Sequence, residues 1–280
     1  MKRIALLTAA FVLVCAAACK QEKKSAPAGP APAEETPVID TVRTETFAEA
    51  KDMEMRGRYH VDYSFSMEYV VDERLDPVVR DSMNCAIAQA MFGRRDPQVE
   101  ELALANEGEV REWFEDGIWE DDADEEEELE LELMMTEGYW KLSGDFSHTA
   151  PEGFTNYNIA GEEYMFGAAH GYYYFKSIVL DLSTGRRLRQ EELFREGFEK
   201  NISSLLLHYL AQDEYYVDGM LFDDEPVMPN NNFLLTKDGI SFFFNPYEIA
   251  AYVFGIIQID IPAADLKPLL AGKYAHLWDE

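Results

Sequence analysis

Between Arg58 and Val71 the chain alternates, with Tyr59, Val61, Tyr63, Phe65, Met67 and Tyr69 on one phase and more polar neighbours on the other. That is the period of a half-buried β-strand. The period then lengthens. Asp76-Pro77 supplies a capping carboxylate and a first-turn proline, and Val79, Met83, Ala86, Ile87 and Ala90 follow at helical spacing to about Phe92. A second helix is expected from Asp96-Pro97 through Trp113, on Val99, Leu102, Val110, Trp113 and Phe114, with Gly108 weakening its middle. Both helices predict cover for a sheet.

Further on, Glu137 to Asp145 and Thr155 to Tyr164 read as antiparallel strands around a connection at Pro151 to Gly153. Gly171 to Leu182 is apolar almost throughout, which predicts a central strand closed by the turn Asp181 to Gly185. Glu191 to Gly197 reads as a short helix or turn. Phe198 to Tyr216 reads as an amphipathic helix on Ile202, Leu205, Leu206, Tyr209 and Leu210. Strands at Asn232 to Thr236, Gly239 to Phe244 and Phe254 to Ile261 and a short helix from Ala264 to Leu270 complete the pattern. The fold class expected is α+β, an antiparallel or mixed sheet packed against two or three main helices.

The N-terminus changes the picture from a plain globular domain to an exported one. Lys2 and Arg3 precede an apolar run from Ile4 to Ala18 that ends at Cys19. At fifteen residues the run is shorter than the roughly 18 to 20 that span a bilayer, and small residues precede the cysteine, as in a lipoprotein signal. Residues 1–19 are therefore expected to be a signal peptide with lipid attachment, such as palmitate, at Cys19. That places the protein in the cell envelope, on the periplasmic side or at the cell surface. Residues 20–45 are rich in Ala, Pro, Glu and Lys and predict a disordered stem. Residues 46–145 would form an N-terminal α/β subdomain with an acidic insertion, and residues 146–280 a C-terminal α+β subdomain packed with it as one unit.

Charge then bounds the partners. With 54 acidic and 24 basic residues the formal charge is −30, which argues against nucleic acid and favours cationic proteins or divalent cations. The run Glu120 to Glu132 concentrates this charge, and Leu129, Leu131 and Leu133 alternate at its end as a strand would. It lacks the ligand spacing and central glycine of a calcium loop, so it reads as a solvated face and no metal or cofactor is expected. Cys85 is the lone cysteine outside the signal and reads as a buried core thiol; no disulfide is expected. His60 falls on the polar phase of its strand and is expected to face solvent, while His148, His208 and His276 are scattered.

One polar constellation remains. His170, between Ala169 and Gly171, together with Asn245, Tyr247 and Glu248, could bind a ligand, hold a metal or move a proton. The same residues suit structural roles at tight turns, with Asn245-Pro246 initiating a turn and Glu248 capping a short helix. The absence of a paired histidine or a serine elbow favours the structural reading, so no catalytic residue is assigned.

Gly167, Ala168, Ala169, His170 and Gly171, then Leu180, Asp181, Leu182, Thr184 and Gly185, then Asn245 to Ala250, Tyr252 and Gly255, carry a resemblance over roughly Phe166 to Leu270. This stretch resembles the extracytoplasmic domain of lysozyme-sensing membrane anti-sigma factors and of lipoproteins of unassigned function. The Tyr59 to Gly93 region resembles the small companion domain also found beside peptidoglycan deacetylases. Ala168 stands where the pattern has Gly, which would rule out a left-handed conformation there. The resemblance implies a non-enzymatic binding role with a lysozyme-like or other cationic protein, or peptidoglycan, as partner. The signalling role does not carry over, because only Met1, Lys2 and Arg3 precede the apolar run. The alternatives are an enzyme modifying envelope polysaccharide and a structural or assembly lipoprotein.

Overall fold

The computed structural model describes residues 41–95, 98–118, 136–222 and 226–279, so the signal, most of the stem, the acidic run and the Leu129 to Leu133 pattern lie outside the described residues. Val38–Glu280 forms one compact unit. Its strands β1 (Thr44–Met55), β2 (Tyr59–Val70), β3 (Glu137–Ser147), β4 (Phe154–Tyr164), β5 (Tyr172–Asp181) and β6 (Arg187–Leu188) form one sheet in that order. Every neighbouring pair is antiparallel except β2 and β3. A parallel pair needs a crossover, and α1 (Pro77–Phe92) and α2 (Val99–Asp116) lie within it. The alternation on β2 delivers Val61, Tyr63, Phe65 and Met67 to the face under these helices, where Met83, Ile87, Leu102, Val110 and Phe114 join them in a buried cluster. The fold is α+β, as the periodicity predicts.

A second antiparallel sheet contains β7 (Phe233–Thr236), β8 (Gly239–Phe244) and β9 (Ile257–Pro262). The short α3 (Gln190–Leu193), α4 (Glu199–Leu210) and α5 (Ala263–Leu266) accompany it. Leu235, Ile240, Phe242, Ile259 and Ile261 pack with Ile202, Leu206 and Leu210 in a second core, which also takes Val179 from β5. β5 therefore buries residues on both of its faces, with Ile178 and Leu180 in the first core and Val179 in the second.

That arrangement corrects the expectation of a central strand. β5 pairs with β4 along its length but with β6 only at Val179 and Leu180. Its apolar composition records two covered faces, not two flanking strands. Three further corrections have local causes. Cys85 is half-buried, its Sγ 3.5 Å from the Arg95 carbonyl oxygen, because the buried stripe of α1 runs through Met83, Asn84, Ile87 and Ala88 and position 85 lies off it. The amphipathic helix ends at Leu210, where the chain turns through Ala211 and Gln212. The last helix is α-helical only to Leu266 and continues as a 3₁₀ turn over Lys267–Leu269, since Pro268 has no N–H to donate.

β1 escapes the periodic reading altogether. It is an edge strand, and only Met53 and Met55 at its end are fully buried. Lys51 ties it to α2 through Glu107 at 2.6 Å. At its start the buried Asp72 carboxylate accepts from the Arg43 N–H and from Arg74; the Arg74 guanidinium holds that carboxyl well below the usual range.

The two sheets meet through a side chain. Asn156 on β4 is fully buried, and its amide donates to the Leu235 carbonyl at 2.8 Å and accepts from the Leu235 N–H at 3.0 Å. Asn84 on α1 does the same for Val70, accepting at 2.8 Å and donating at 3.0 Å.

Gly161 shows how closely the first core is packed, because a Cβ there would collide with the Tyr174 ring. Gly108 lies in α2 with nothing within 4 Å of a Cβ. Gly161→Ala is expected to destabilise by about 1–3 kcal/mol through overpacking and Gly108→Ala to stabilise by about 1 kcal/mol through helix propensity, both read as opposite shifts of the urea midpoint.

Candidate functional site

The outer edge of β5 beyond β6 organises the candidate residues. Three backbone groups there point away from β4 and are met by side-chain amides. Asn245 Oδ1 accepts from the Phe175 N–H at 2.8 Å. Asn232 accepts from the Ser177 N–H at 2.7 Å and donates to the Phe175 carbonyl at 2.8 Å. Asn230, Asn231 and Asn232 are all occupied in this way: Asn230 donates to the Phe243 carbonyl, and Asn231 accepts from the Gln190 N–H and donates to Glu191.

With Asn245 fixed on β5, the turn that follows is set beside it. The Glu248 N–H returns to the Asn245 carbonyl at 3.0 Å, and the Glu248 carboxylate accepts from the Asn245 N–H at 3.1 Å and its Nδ2 at 3.3 Å. Pro246 occupies the second position and Tyr247 the third, at φ 70°. Positive φ at that position is the mark of a type II turn and normally calls for glycine or asparagine. Tyrosine there costs about 1–2 kcal/mol.

The Tyr247 ring is half-exposed and lies 5.8 Å from Tyr252. Tyr252 stacks on His170 at 4.1 Å, meets Tyr173 edge-on at 5.5 Å, and donates to the Gly171 carbonyl at 2.8 Å. His170 Nδ1 is 2.8 Å from the same carbonyl. Only a protonated Nδ1 can donate there, which in the neutral imidazole makes Nε2 the acceptor facing the Tyr247 hydroxyl at 3.5 Å. The left-handed residue of the preceding turn is Gly167, at φ 69°, so Ala168 needs no glycine freedom.

The structure thus brings all four expected residues together. Asn245 and Glu248 hold the turn, while His170 and Tyr247 belong to an aromatic cluster with Tyr252 and Tyr173; the exposed Tyr172 lies against Tyr174 instead. Burial pushes the Tyr172 hydroxyl up, with Glu248 and Glu163 adding to the shift, and burial alone raises the Glu163 carboxyl. Among the described residues no group of three His, Cys, Asp or Glu side chains could hold a metal ion. None of the helices there is long and apolar enough to cross a membrane. His60 faces solvent, as its phase predicts, with Nδ1 2.9 Å from Asp52; that pairing raises the imidazole above its ordinary value. A groove of about 800 Å³ between His148–Ala150 and the β7–β9 strands lies away from these tyrosines. What the sequence reading missed was the asparagine run and the clustering of Tyr173 and Tyr252 with His170; three consecutive asparagines before a strand were the available signal.

Residues 191–264 match the family model DUF3298, a protein family of unknown function. The match is confined to this segment. It spans β7–β9, the asparagine run and the Asn245–Glu248 turn, but neither His170 nor the six-stranded sheet. The whole fold is similar to a DUF3298 family member from Bacteroides fragilis NCTC 9343, at 20% identity and a TM-score of 0.71 over 87% of this chain and 99% of that one. It is also similar to a DUF3298 family protein from Pseudomonas aeruginosa PAO1, at 15% identity and a TM-score of 0.57 over 83% and 96%. No curated protein matches the chain.

Tyr247→Asn, which keeps the left-handed turn without its strain, is expected to stabilise by about 1 kcal/mol, whereas Asn245→Ala leaves the Phe175 N–H without its acceptor and costs about 1–3 kcal/mol. Thermal melts of the two variants check both signs.

Proposed function

We propose that this chain is the binding module of a lipid-anchored envelope protein, attached through Cys19 on the periplasmic side or at the cell surface, and that it recognises a protein or cell-wall ligand without turning it over. The observation that carries the reading is Tyr247, an exposed ring kept on a strained backbone. Backbone outliers of this kind persist where the surroundings impose them, and they cluster at functional sites. Tyrosine rings offer large, rigid, amphipathic contact area at low entropic cost. His170 and Tyr252 support the ring from below, and Asn245 and Glu248 are spent on the turn, which suits a positioning role better than proton transfer.

The partner favoured is a cationic protein of the lysozyme kind. The charge of −30 steers such a protein toward the surface, and the sequence resemblance to lysozyme-sensing ectodomains points the same way. Peptidoglycan would use the same rings as a stacking surface.

Calorimetric titration with lysozyme at about 0.15 M salt, where the long-range field is screened, tests this against an unrelated protein of similar positive charge. Saturable binding to lysozyme alone, weakened about tenfold or more by Tyr247→Ala, is expected. Equal binding to both proteins, or binding indifferent to Tyr247→Ala, overturns the role of the rings. If lysozyme does not bind, peptidoglycan fragments take its place, and their failure as well overturns the reading.

A further inference from the structure

We propose that the groove between β5, β6 and the Asn230–Asn232 segment binds an anionic saccharide, with its carboxylate or phosphate on Lys176 and Arg187 and its ring against Tyr172 and Tyr174. The groove has a volume of about 350 Å³. Lys176 pairs with Ile159, and Arg187 with Leu180, so both cations project from the helix-covered face of the sheet. In a chain with more than twice as many acids as bases, no salt bridge reaches either of them among the described residues. Lys176 donates to the Ala90 carbonyl at the end of α1, at 2.7 Å, and has two further N–H groups. Arg187 donates to the Asn231 carbonyl, while its Nε–H lies buried with no acceptor among the described residues.

Burial pushes both groups down, and the charge of Arg187 lowers Lys176 further. Two half-buried like charges are costly unless an anion joins them, and the Glu191 carboxylate offsets only part of this at Arg187. Glu248 also lines the groove, but its carboxylate is taken by Asn245; Glu191 is engaged by Asn231. The remaining wall suits a sugar. Tyr172 and Tyr174 present rings with centroids 6.3 Å apart, and Asn230 and Asn232, each with one amide N–H on a backbone carbonyl, keep a second N–H for hydroxyl groups. The groove shares Asn245 and Glu248 with the turn that carries Tyr247, but the cationic-partner reading rests on the Tyr247 ring and survives whichever way the groove behaves.

The test titrates the protein with glucuronate, glucose 1-phosphate and glucose at about 0.15 M salt, following amide and side-chain chemical shifts and the melting temperature. At least one acidic sugar should bind saturably, ten times or more tighter than glucose, with shifts at Tyr172, Tyr174 and Asn231; which one binds separates a carboxylate from a phosphate ligand. Lys176→Met keeps most of the length of the side chain and removes a half-buried charge, so it should melt no lower than wild type while weakening binding tenfold or more. Failure of both acidic sugars to bind, affinity equal to that for glucose, or undiminished binding by a folded Lys176→Met overturns the proposal. Arg187→Met provides the same test if Lys176→Met melts lower.

Discussion

A buried strand edge has to find partners for its backbone N–H and C=O groups, and this fold finds them in asparagine side chains. A primary amide carries a donor and an acceptor in one plane, so a single side chain can close both groups of one residue as a neighbouring strand would. Asn156 does this for Leu235, Asn84 for Val70, and Asn232 bridges Phe175 and Ser177. Leaving such a buried group unmet costs about 1–3 kcal/mol, so the packing of β7 on the six-stranded sheet depends on Asn156. No hydrogen-bonded ladder runs between the two sheets. The Asn156 amide substitutes for it at Leu235, inside the contact, while Asn232 and Asn245 at the ends of β7 and β8 tie the second sheet to the outer edge of β5.

The same device places the candidate surface. Because Asn232 and Asn245 occupy the outer edge of β5, that edge is closed without a full neighbouring strand, and its Tyr172 end stays open to solvent. Asn245 anchors the turn that carries Tyr247, and Tyr252, a few residues on, reaches back to His170 and Gly171. Two segments some 75 residues apart in sequence are thereby held against each other by a strand-edge bond and an aromatic stack. The cationic groove follows from the same geometry, since the asparagine segment that closes β5 also forms the groove wall against β6.

Much of the fold was legible because burial was one-sided. β2 alternates since one of its faces meets α1 and α2, and α1 declares its start through the Asp76 cap, which accepts from the Val78 N–H at 2.8 Å. β5 misled because burial on both faces erases alternation, and a strand so covered looks central wherever it lies. β1 was illegible because an exposed edge strand needs no apolar stripe. At the candidate site the sequence supplied the residues but not their division of labour. Turn chemistry predicted the role of Asn245, whereas Glu248, expected to cap a short helix, instead accepts from the Asn245 N–H and Nδ2 within the turn; the joining of His170 to Tyr247 through Tyr252 is a tertiary fact with no local signature. The asparagine clamps were invisible for the same reason: Asn84 and Asn156 sit at core positions where a periodic reading registers only a break in the pattern.

Residue-resolved hydrogen exchange on wild type and Asn156→Ala tests the clamp most directly. If Asn156 secures the second sheet to the first, the amides of Phe242 and Ile259 should lose protection about 30-fold or more in the variant, in line with one or two lost buried hydrogen bonds, while those of Phe65 and Leu142 keep theirs. Unchanged protection in β8 and β9, or an equal loss in both sheets, would contradict the account.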